Sequence, residues 1–129
     1  MRLLLDTTVL IDALRGRPAA ERVRGLHEQG HVPWISPINV EEVLRGTRER
    51  EEPLVLRFLA GMRLAPLGRE EGLRAGRWRR EHAGKGVTLS QADCMIAAAA
   101  VALDARLATG NPRHFPMGEL DIEHWPVGE

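Results

Sequence analysis

Leu3-Leu4-Leu5-Asp6-Thr7-Thr8, at the start of the chain, is the stretch that decides the fold. Its apolar run predicts a short buried strand at residues 2–5, and Asp6 and Thr7 can cap a helix that follows as far as Gly16. A strand that gives way at once to a helix begins a β–α unit, and repeated units of this kind build a parallel sheet. Asp6 would then lie at the carboxyl end of a strand, where ligands bind in an open α/β sheet.

The rest of the chain continues this alternation of strands and helices. Ser36 followed by Pro37 opens one helix, and Ser90 opens the most apolar helix. Expected strands are residues 32–35, 63–67, 107–109 and 120–123, and expected helices are residues 18–29, 37–46, 69–82 and 90–103, with a further one from Pro53. That further helix is expected to carry Leu54, Leu56, Phe58, Leu59 and Met62 on or near its buried side. We therefore predict one α/β domain over residues 1–129, with a central parallel sheet of four to five strands flanked by helices on both faces.

Three acids and one amide fall where a predicted strand ends or a predicted helix starts. They are Asp6, Glu42, Asp93 and Asn111. Taken singly, Asp6 and Asp93 are explained as helix caps and Glu42 as a solvated charge. Taken together they are harder to explain, because carboxylates gathered at one sheet edge repel each other unless a cation lies between them. The sequence therefore predicts a metal site of hard oxygen donors, which suit Mg²⁺ or Mn²⁺.

Composition restricts the partners and the compartment. The chain has 18 basic and 18 acidic residues, so any contact with nucleic acid must come from a local patch rather than from net charge. Cys94 is the only cysteine, which fits a reducing compartment. The apolar run at residues 3–5 is far too short for a signal peptide or a membrane span, so we expect a cytoplasmic protein.

Four stretches resemble the motifs of the PIN domain family, and in particular the VapC-type toxins of type II toxin–antitoxin systems. They are LLDTTVLID at 4–12, ISPINVEEVLRG at 35–46, LSQADCMIAA at 89–98 and LATGNPRHF at 107–115. They occur in the family's order and spacing, and the resemblance extends over nearly the whole chain. Two stretches depart from the family pattern. In the fourth, Asn111 or His114 stands where an acid is common, and in the second, Asn39 replaces a common threonine.

The resemblance implies a PIN-like fold and a Mg²⁺- or Mn²⁺-dependent endoribonuclease that hydrolyses RNA. It implies Asp6, Glu42 and Asp93 as metal ligands and catalytic acids, with Asn111 as the fourth catalytic residue. Glu42 is preferred to Glu41 because the family's glutamate stands four residues before a glycine, as Glu42 does before Gly46. It also implies a small VapB-type antitoxin, whose C-terminal segment would lie in the acidic groove, and a homodimer.

Residues for RNA contact are more weakly indicated. Thr7, Arg77 and Arg80 are the candidates, although a solvated helix face is the preferred explanation for the last two. The hydroxyls of Thr7 and Thr8 would either reach the metal and its waters or satisfy the helix start. Trp78 would either stack on a base or fill the core. Asp12 and Asp104 are expected to be surface or helix-end acids.

Three other functions are compatible with parts of the sequence. His27-Glu28-Gln29-Gly30-His31 matches the H-E-x-x-H zinc hydrolase pattern, but Gly30 is expected to end the helix before the second histidine. A phosphoaspartate enzyme would place a second acid two residues after Asp6, where Thr8 stands instead. A PIN-like partner-binding module without catalysis is the third alternative, although the three acids argue against it.

Overall fold

A computed structural model describes residues 2–128 as a five-stranded parallel sheet with helices on both faces. The strands are β1 (Arg2–Leu5), β2 (Trp34–Ile35), β3 (Arg63–Leu64), β4 (Ala105–Thr109) and β5 (Ile122–His124). The helices are α1 (Thr7–Leu14), α2 (Pro18–Glu28), α3 (Pro37–Arg45), α4 (Glu52–Ala60), α5 (Arg69–Ala83) and α6 (Gln91–Ala102). The strand order is β3-β2-β1-β4-β5, with every neighbouring pair parallel. The predicted fold class is confirmed.

Side chains that alternate along β1 and β4 build two cores, one on each face of the sheet. Leu4 and Leu107 pack with α5 and α6, whereas Leu5 and Ala108 pack with α1 to α4. In α6 the side chains of residues 96–100 are fully buried, and its run of alanines allows the helix to lie close against the sheet. No helix within residues 2–128 is long and apolar enough to cross a membrane.

The predicted helix starts at Ser36 and Ser90 are confirmed. Ser36 and Asn39 form a reciprocal capping box, and the Ser90 hydroxyl accepts the Asp93 backbone N–H at 3.0 Å. The bounds of the strands differ more from the predicted ones than the starts of these helices do. β2 begins at Trp34 rather than at residue 32, because the preceding Pro33 has no N–H to donate to the sheet. β3 is only two residues long, β4 begins two residues earlier than expected, and β5 lies at 122–124.

The expected buried face of α4 is partly wrong. Leu54 and Leu56 are 62% and 44% exposed, while Val55 and Leu59 fill the core. Val55 and Leu59 are four residues apart, so they share the helix face turned to the sheet, and Leu54 and Leu56 fall to either side of it. Apolar composition alone therefore gave too wide a buried face.

The different burial of the α4 leucines predicts a difference in stability between their alanine variants. Leu59→Ala should lower the free energy of unfolding by about 2–4 kcal/mol, because it leaves a cavity in a packed core. Leu54→Ala, the matched change on the exposed face, should cost less than about 0.5 kcal/mol. Urea denaturation of the two variants tests this, and equal losses would show that the α4 face has been assigned wrongly.

Candidate metal centre at the carboxyl edge of the sheet

The sequence-predicted acids gather where the strand order reverses. β1 and β4 are neighbours, but their successors β2 and β5 lie on opposite sides of them. The helix after β1 and the loop after β4 therefore leave a crevice between them, which is where open α/β sheets bind ligands. Asp6 follows β1 and Asn111 follows β4, while Glu42 lies on α3 and Asp93 in the first turn of α6.

Asp6 is the buried centre of this edge. Its side chain is 4% exposed, and its Oδ2 accepts hydrogen bonds from the hydroxyls of Thr109 at 2.8 Å and Thr8 at 2.9 Å. Burial raises the pKa of the Asp6 carboxyl, and the negative charge of Asp93 adds to that rise. The hydrogen bonds from the two threonines oppose it, but the pKa stays above its ordinary value.

Each of these two hydroxyls is oriented by a backbone N–H. Gly110 N–H donates to Thr8 Oγ1 at 3.0 Å, and Asn111 N–H donates to Thr109 Oγ1 at 3.0 Å. Because each oxygen accepts from the backbone, its own proton is free to point at Asp6. The loop after β4 thus fixes the Asp6 carboxylate through two hydroxyl relays.

Glu42 is fixed by a separate relay. Thr7 Oγ1 donates to Glu42 Oε1 at 2.6 Å, and Asn39 Nδ2 donates to Thr7 Oγ1 at 3.0 Å. Asn39 is fully buried, and its Oδ1 accepts from both the backbone N–H and the hydroxyl of Ser36. The capping box of α3 therefore also aims the Glu42 carboxylate.

The choice of Glu42 over Glu41 agrees with the geometry. Glu41 is exposed and makes an ion pair with Arg45 at 2.9 Å, and the Arg45 guanidinium lowers the pKa of the Glu41 carboxyl. Glu42 is half-buried and turned toward α1 through Thr7. The two neighbouring glutamates thus differ in partner as well as in exposure.

Asp93 is the third acid, and its neighbour is His114. The distance from His114 Nδ1 to Asp93 Oδ2 is 3.4 Å, and Asp93 is partly buried at the start of α6. The side chain of Asn111 is exposed and caps no helix, while its backbone N–H serves the Thr109 relay. Of the two fourth-motif candidates, the structure therefore places the His114 ring against an acid.

The structure also decides three expectations about residues other than the candidate site residues. Asp12 is not a surface acid, because it is 3% exposed and accepts backbone N–H bonds from Ala19 and Gly128. Trp78 is buried and donates its indole N–H to Glu119, so it fills the core and cannot stack on a base. Cys94 is buried, and burial raises the pKa of its thiol, which suits packing.

The weaker RNA-contact candidates are only partly available. Arg77 and Arg80 are exposed on α5. The Thr7 hydroxyl is engaged between Asn39 and Glu42, and Thr8 is engaged with Asp6. Both threonine hydroxyls therefore position carboxylates, a role that the sequence reasoning did not assign to either.

The H-E-x-x-H pattern is not assembled into a zinc site. α2 ends at Glu28, and Gly30 has a φ of +81°, which turns the chain away before His31. His27 Nδ1 lies 3.0 Å from the Val23 carbonyl oxygen, within its own helix. The two histidines therefore do not share one helix face.

The carboxylates fit a hydrated divalent ion better than a closed cage. Within residues 2–128, no three His, Cys, Asp or Glu side chains are already arranged to hold one ion. Mg²⁺ keeps several of its waters and needs only one or two carboxylates. Asp6 and Asp93 supply such hard donors at one crevice, and both hydroxyl bonds of Asp6 fall on Oδ2. A pocket of about 650 Å³ lies at the opposite edge of the sheet, near Arg2, Trp34 and Arg63, and its lining includes none of the three site acids.

Comparison with known proteins agrees with the fold. The model of the PIN domain family matches residues 3–118, and the chain belongs to that family. Ribonuclease VapC19 of Mycobacterium tuberculosis is 36% identical over 119 residues, which are 88% of this chain and 92% of that protein. Ribonuclease VapC10 of the same organism is 38% identical over 122 residues, which are 91% and 88% of the two chains.

Solved structures extend the likeness in three dimensions. The chain superposes on DNA-bound VapBC of Salmonella typhimurium with a TM-score of 0.83 and 25% identity, covering 97% of this chain and 98% of that one. The TM-score is 0.81, at 23% identity and 97% and 99% coverage, for VapBC2 of Rickettsia felis bound to a promoter DNA fragment. The predicted PIN-like fold is therefore confirmed over nearly the whole chain.

The buried acid predicts a stability effect with a definite sign. Because the pKa of Asp6 is raised in the folded protein above its ordinary value of 3.8, the unfolded chain loses this proton at lower pH than the folded one. Stability contributed by protonated Asp6 is therefore lost as the pH rises above that ordinary value. Asp6→Asn should accordingly be more stable than the wild type at about pH 7 in EDTA, and the gain should shrink toward about pH 4.

Thermal unfolding of both proteins at the two pH values measures this gain. Glu41→Gln is the matched control, because its carboxylate is exposed and paired with Arg45, so it should show no gain. Lower stability of Asp6→Asn at both pH values would contradict the assigned cause of the shift.

Proposed function

We propose that this protein is a Mg²⁺- or Mn²⁺-dependent endoribonuclease that acts as the toxin of a type II toxin–antitoxin pair. Two observations support this. Relatives named as VapC ribonucleases match it at 36% and 38% identity over nearly its whole length. The observation that carries the proposal is the buried Asp6 carboxylate beside Asp93 at the crevice of the sheet, an arrangement that costs folding energy without a cation.

The residues divide the chemistry among them. A bound Mg²⁺ or Mn²⁺ would orient and acidify a water for in-line attack on the phosphodiester and neutralise charge on the phosphate. Asp6, Asp93 and Glu42 are the proposed metal ligands and catalytic acids. Thr8 and Thr109 hold Asp6, and Thr7 holds Glu42. No nucleophilic side chain is required, in keeping with the burial of Cys94.

The fourth position combines two side chains in this proposal. Asn111 can donate to or accept from a water at the exposed edge, but it cannot supply negative charge. His114, beside Asp93, adds a second polar group on the same short turn. Arg77 and Arg80 on α5 remain the proposed RNA contacts, because exposed arginines suit phosphate, whereas the Thr7 hydroxyl is committed to Glu42.

The proposed partners are a small VapB-type antitoxin and a second copy of the chain. The antitoxin's C-terminal segment would occupy the acidic crevice, where an arginine could make bidentate bonds to the carboxylates. For a homodimer, Leu54 and Leu56 on α4 and Leu64 on β3 present exposed apolar surface. Such a toxin would act in the cytoplasm, where its RNA substrates are.

Cleavage by matched acid variants tests the function. Wild type should cleave a pooled structured RNA with Mg²⁺ or Mn²⁺ but not with EDTA, since the ion supplies the activated water. Asp93→Asn and Glu42→Gln should each lower the rate by at least about 100-fold, because loss of a ligand exceeds the effect of losing a supporting group. Glu41→Gln, one residue away but paired with Arg45, should retain full activity.

The outcomes separate the candidate functions. Equal cleavage by wild type and Asp93→Asn would mean that the site lies elsewhere. If the wild type is folded but neither cleaves RNA nor binds Mn²⁺, the partner-binding module would be favoured. The amide of Asn111 in place of an acid would suit such a module.

The zinc alternative has its own test. His27→Ala should leave the cleavage rate unchanged within about 2-fold, because the exposed ring bonds to a carbonyl of its own helix and the change is a surface substitution. A large loss of RNA cleavage in this variant, measured in the same assay, would revive a role for the H-E-x-x-H pattern.

A further inference from the structure

The last described residues, 125–128, fold back over the end of β4. Trp125 N–H donates to the Thr109 carbonyl at 2.9 Å, and the indole ring is buried among the side chains between the sheet and α1 to α4. Gly128 N–H donates to Asp12 Oδ1 at 2.8 Å, with a φ of +100° that side chains rarely adopt. We call residues 125–128 the tail; it is thus bonded at both ends.

Asp12 is the anchor of the tail. Its carboxylate is buried on α1, and its second oxygen accepts the Ala19 N–H at 3.0 Å in the first turn of α2. One side chain therefore joins α1, α2 and the tail. A buried carboxylate needs such donors, since without them its burial would be costly.

Between these two bonds, Val127 packs on Gly110. A Cβ atom on Gly110 would lie 2.7 Å from both methyl carbons of Val127 and 3.2 Å from its Cβ. The φ of Gly110 is not positive, so glycine is needed here for space rather than for backbone freedom. The valine thus covers the first residue of the loop after β4.

The backbone that the tail covers is the one that supports Asp6. Gly110 N–H donates to the Thr8 hydroxyl, which donates to Asp6, and the Thr109 hydroxyl donates to Asp6 directly. Trp125 holds the carbonyl of Thr109, and Val127 contacts Gly110. Any displacement of the tail would therefore shift the Thr8 and Thr109 hydroxyls, and with them the Asp6 carboxylate.

We propose that the tail, anchored by Asp12 and packed on Gly110 through Val127, positions the Asp6 carboxylate to bind the metal. This inference rests on the proposed function. The family match ends at residue 118, before the tail begins. Asp12 and Val127 are positioning residues, because they act on Asp6 through the loop after β4 and the two threonines.

The Gly110–Val127 contact allows a test by compensation. Gly110→Ala introduces the clash and should weaken Mn²⁺ binding about 10-fold, the size typical of changes that disturb the support of a ligand. Val127→Gly removes every atom of the clash, whereas alanine would leave the 3.2 Å contact. The double variant should therefore bind Mn²⁺ as well as Val127→Gly alone.

Two further variants complete the set. Gly118→Ala is the matched control, because a Cβ there has no atom within 4 Å, and it should bind Mn²⁺ as the wild type does. Asp12→Ala removes both acceptor oxygens, including the one that holds Gly128, and so releases the tail without touching Gly110. It should weaken Mn²⁺ binding about 10-fold and should decide the matter if Gly110→Ala does not fold.

Three readouts distinguish positioning from a general loss of structure. Isothermal titration of the RNA-free protein with Mn²⁺ gives the affinity, NMR hydrogen exchange at the Gly110 amide reports its bond to Thr8, and thermal unfolding reports the fold. The tail role predicts weaker Mn²⁺ binding and faster Gly110 exchange in the folded variants. A merely structural role predicts a lower melting temperature with unchanged Mn²⁺ affinity.

The outcomes that overturn the proposal are separate from those that overturn the function. Unchanged Mn²⁺ affinity in folded Gly110→Ala and Asp12→Ala would exclude the tail role, as would a double variant that binds Mn²⁺ more weakly than Val127→Gly alone. If wild type itself neither binds Mn²⁺ nor cleaves RNA, the proposed function falls instead, and with it the metal that the tail would serve.

Discussion

The burial of one carboxylate, Asp6, is the constraint around which the rest of the structure is arranged. The strand order places it at the central crevice, between the two longest strands of the sheet. Its burial raises its pKa, so the fold must compensate with hydrogen bonds from Thr8 and Thr109. Those bonds in turn require the loop after β4 to take one conformation, since its backbone N–H groups orient both hydroxyls.

Two acids of the site, Asp6 and Glu42, are held by uncharged groups, unlike the surface glutamates that pair with arginines. Asp6 and Glu42 accept from threonine hydroxyls, whereas Glu41 pairs with Arg45 and Glu21 pairs with Arg24. A hydroxyl fixes the direction of a carboxylate without cancelling its charge. An arginine in the same place would neutralise the carboxylate that a cation needs. Support by threonine therefore leaves the negative charge available to a metal ion.

Much of the fold followed from local patterns. The alternation of strands and helices and the serine caps at Ser36 and Ser90 depend on short-range chemistry, and the structure confirms them. The lengths of β2 and β3 and the buried face of α4 were less well predicted. These features depend on how neighbouring elements pack. A short apolar segment such as residues 54–59 does not show by itself which of its side chains will be buried.

The candidate acids could be named from the sequence, but the groups that support them could not. Thr109 bonds to Asp6 across 103 residues, and Asn39 bonds to Thr7 across 32. No spacing rule connects residues so far apart. Asp12 was misjudged for the same reason, since the partners that bury its carboxylate come from α2 and from the tail.

The separation of Asp6 from Thr109 also orders events during synthesis. β1 is made first but lies in the middle of the sheet, and its neighbour β4 is made only after residue 104. A growing chain thus carries Asp6, Glu42 and Asp93 for some time while the strand that completes the crevice does not yet exist. Contacts between residues so distant in sequence form late and slowly. The three acids therefore become a site only once β4 has been synthesised and has paired with β1.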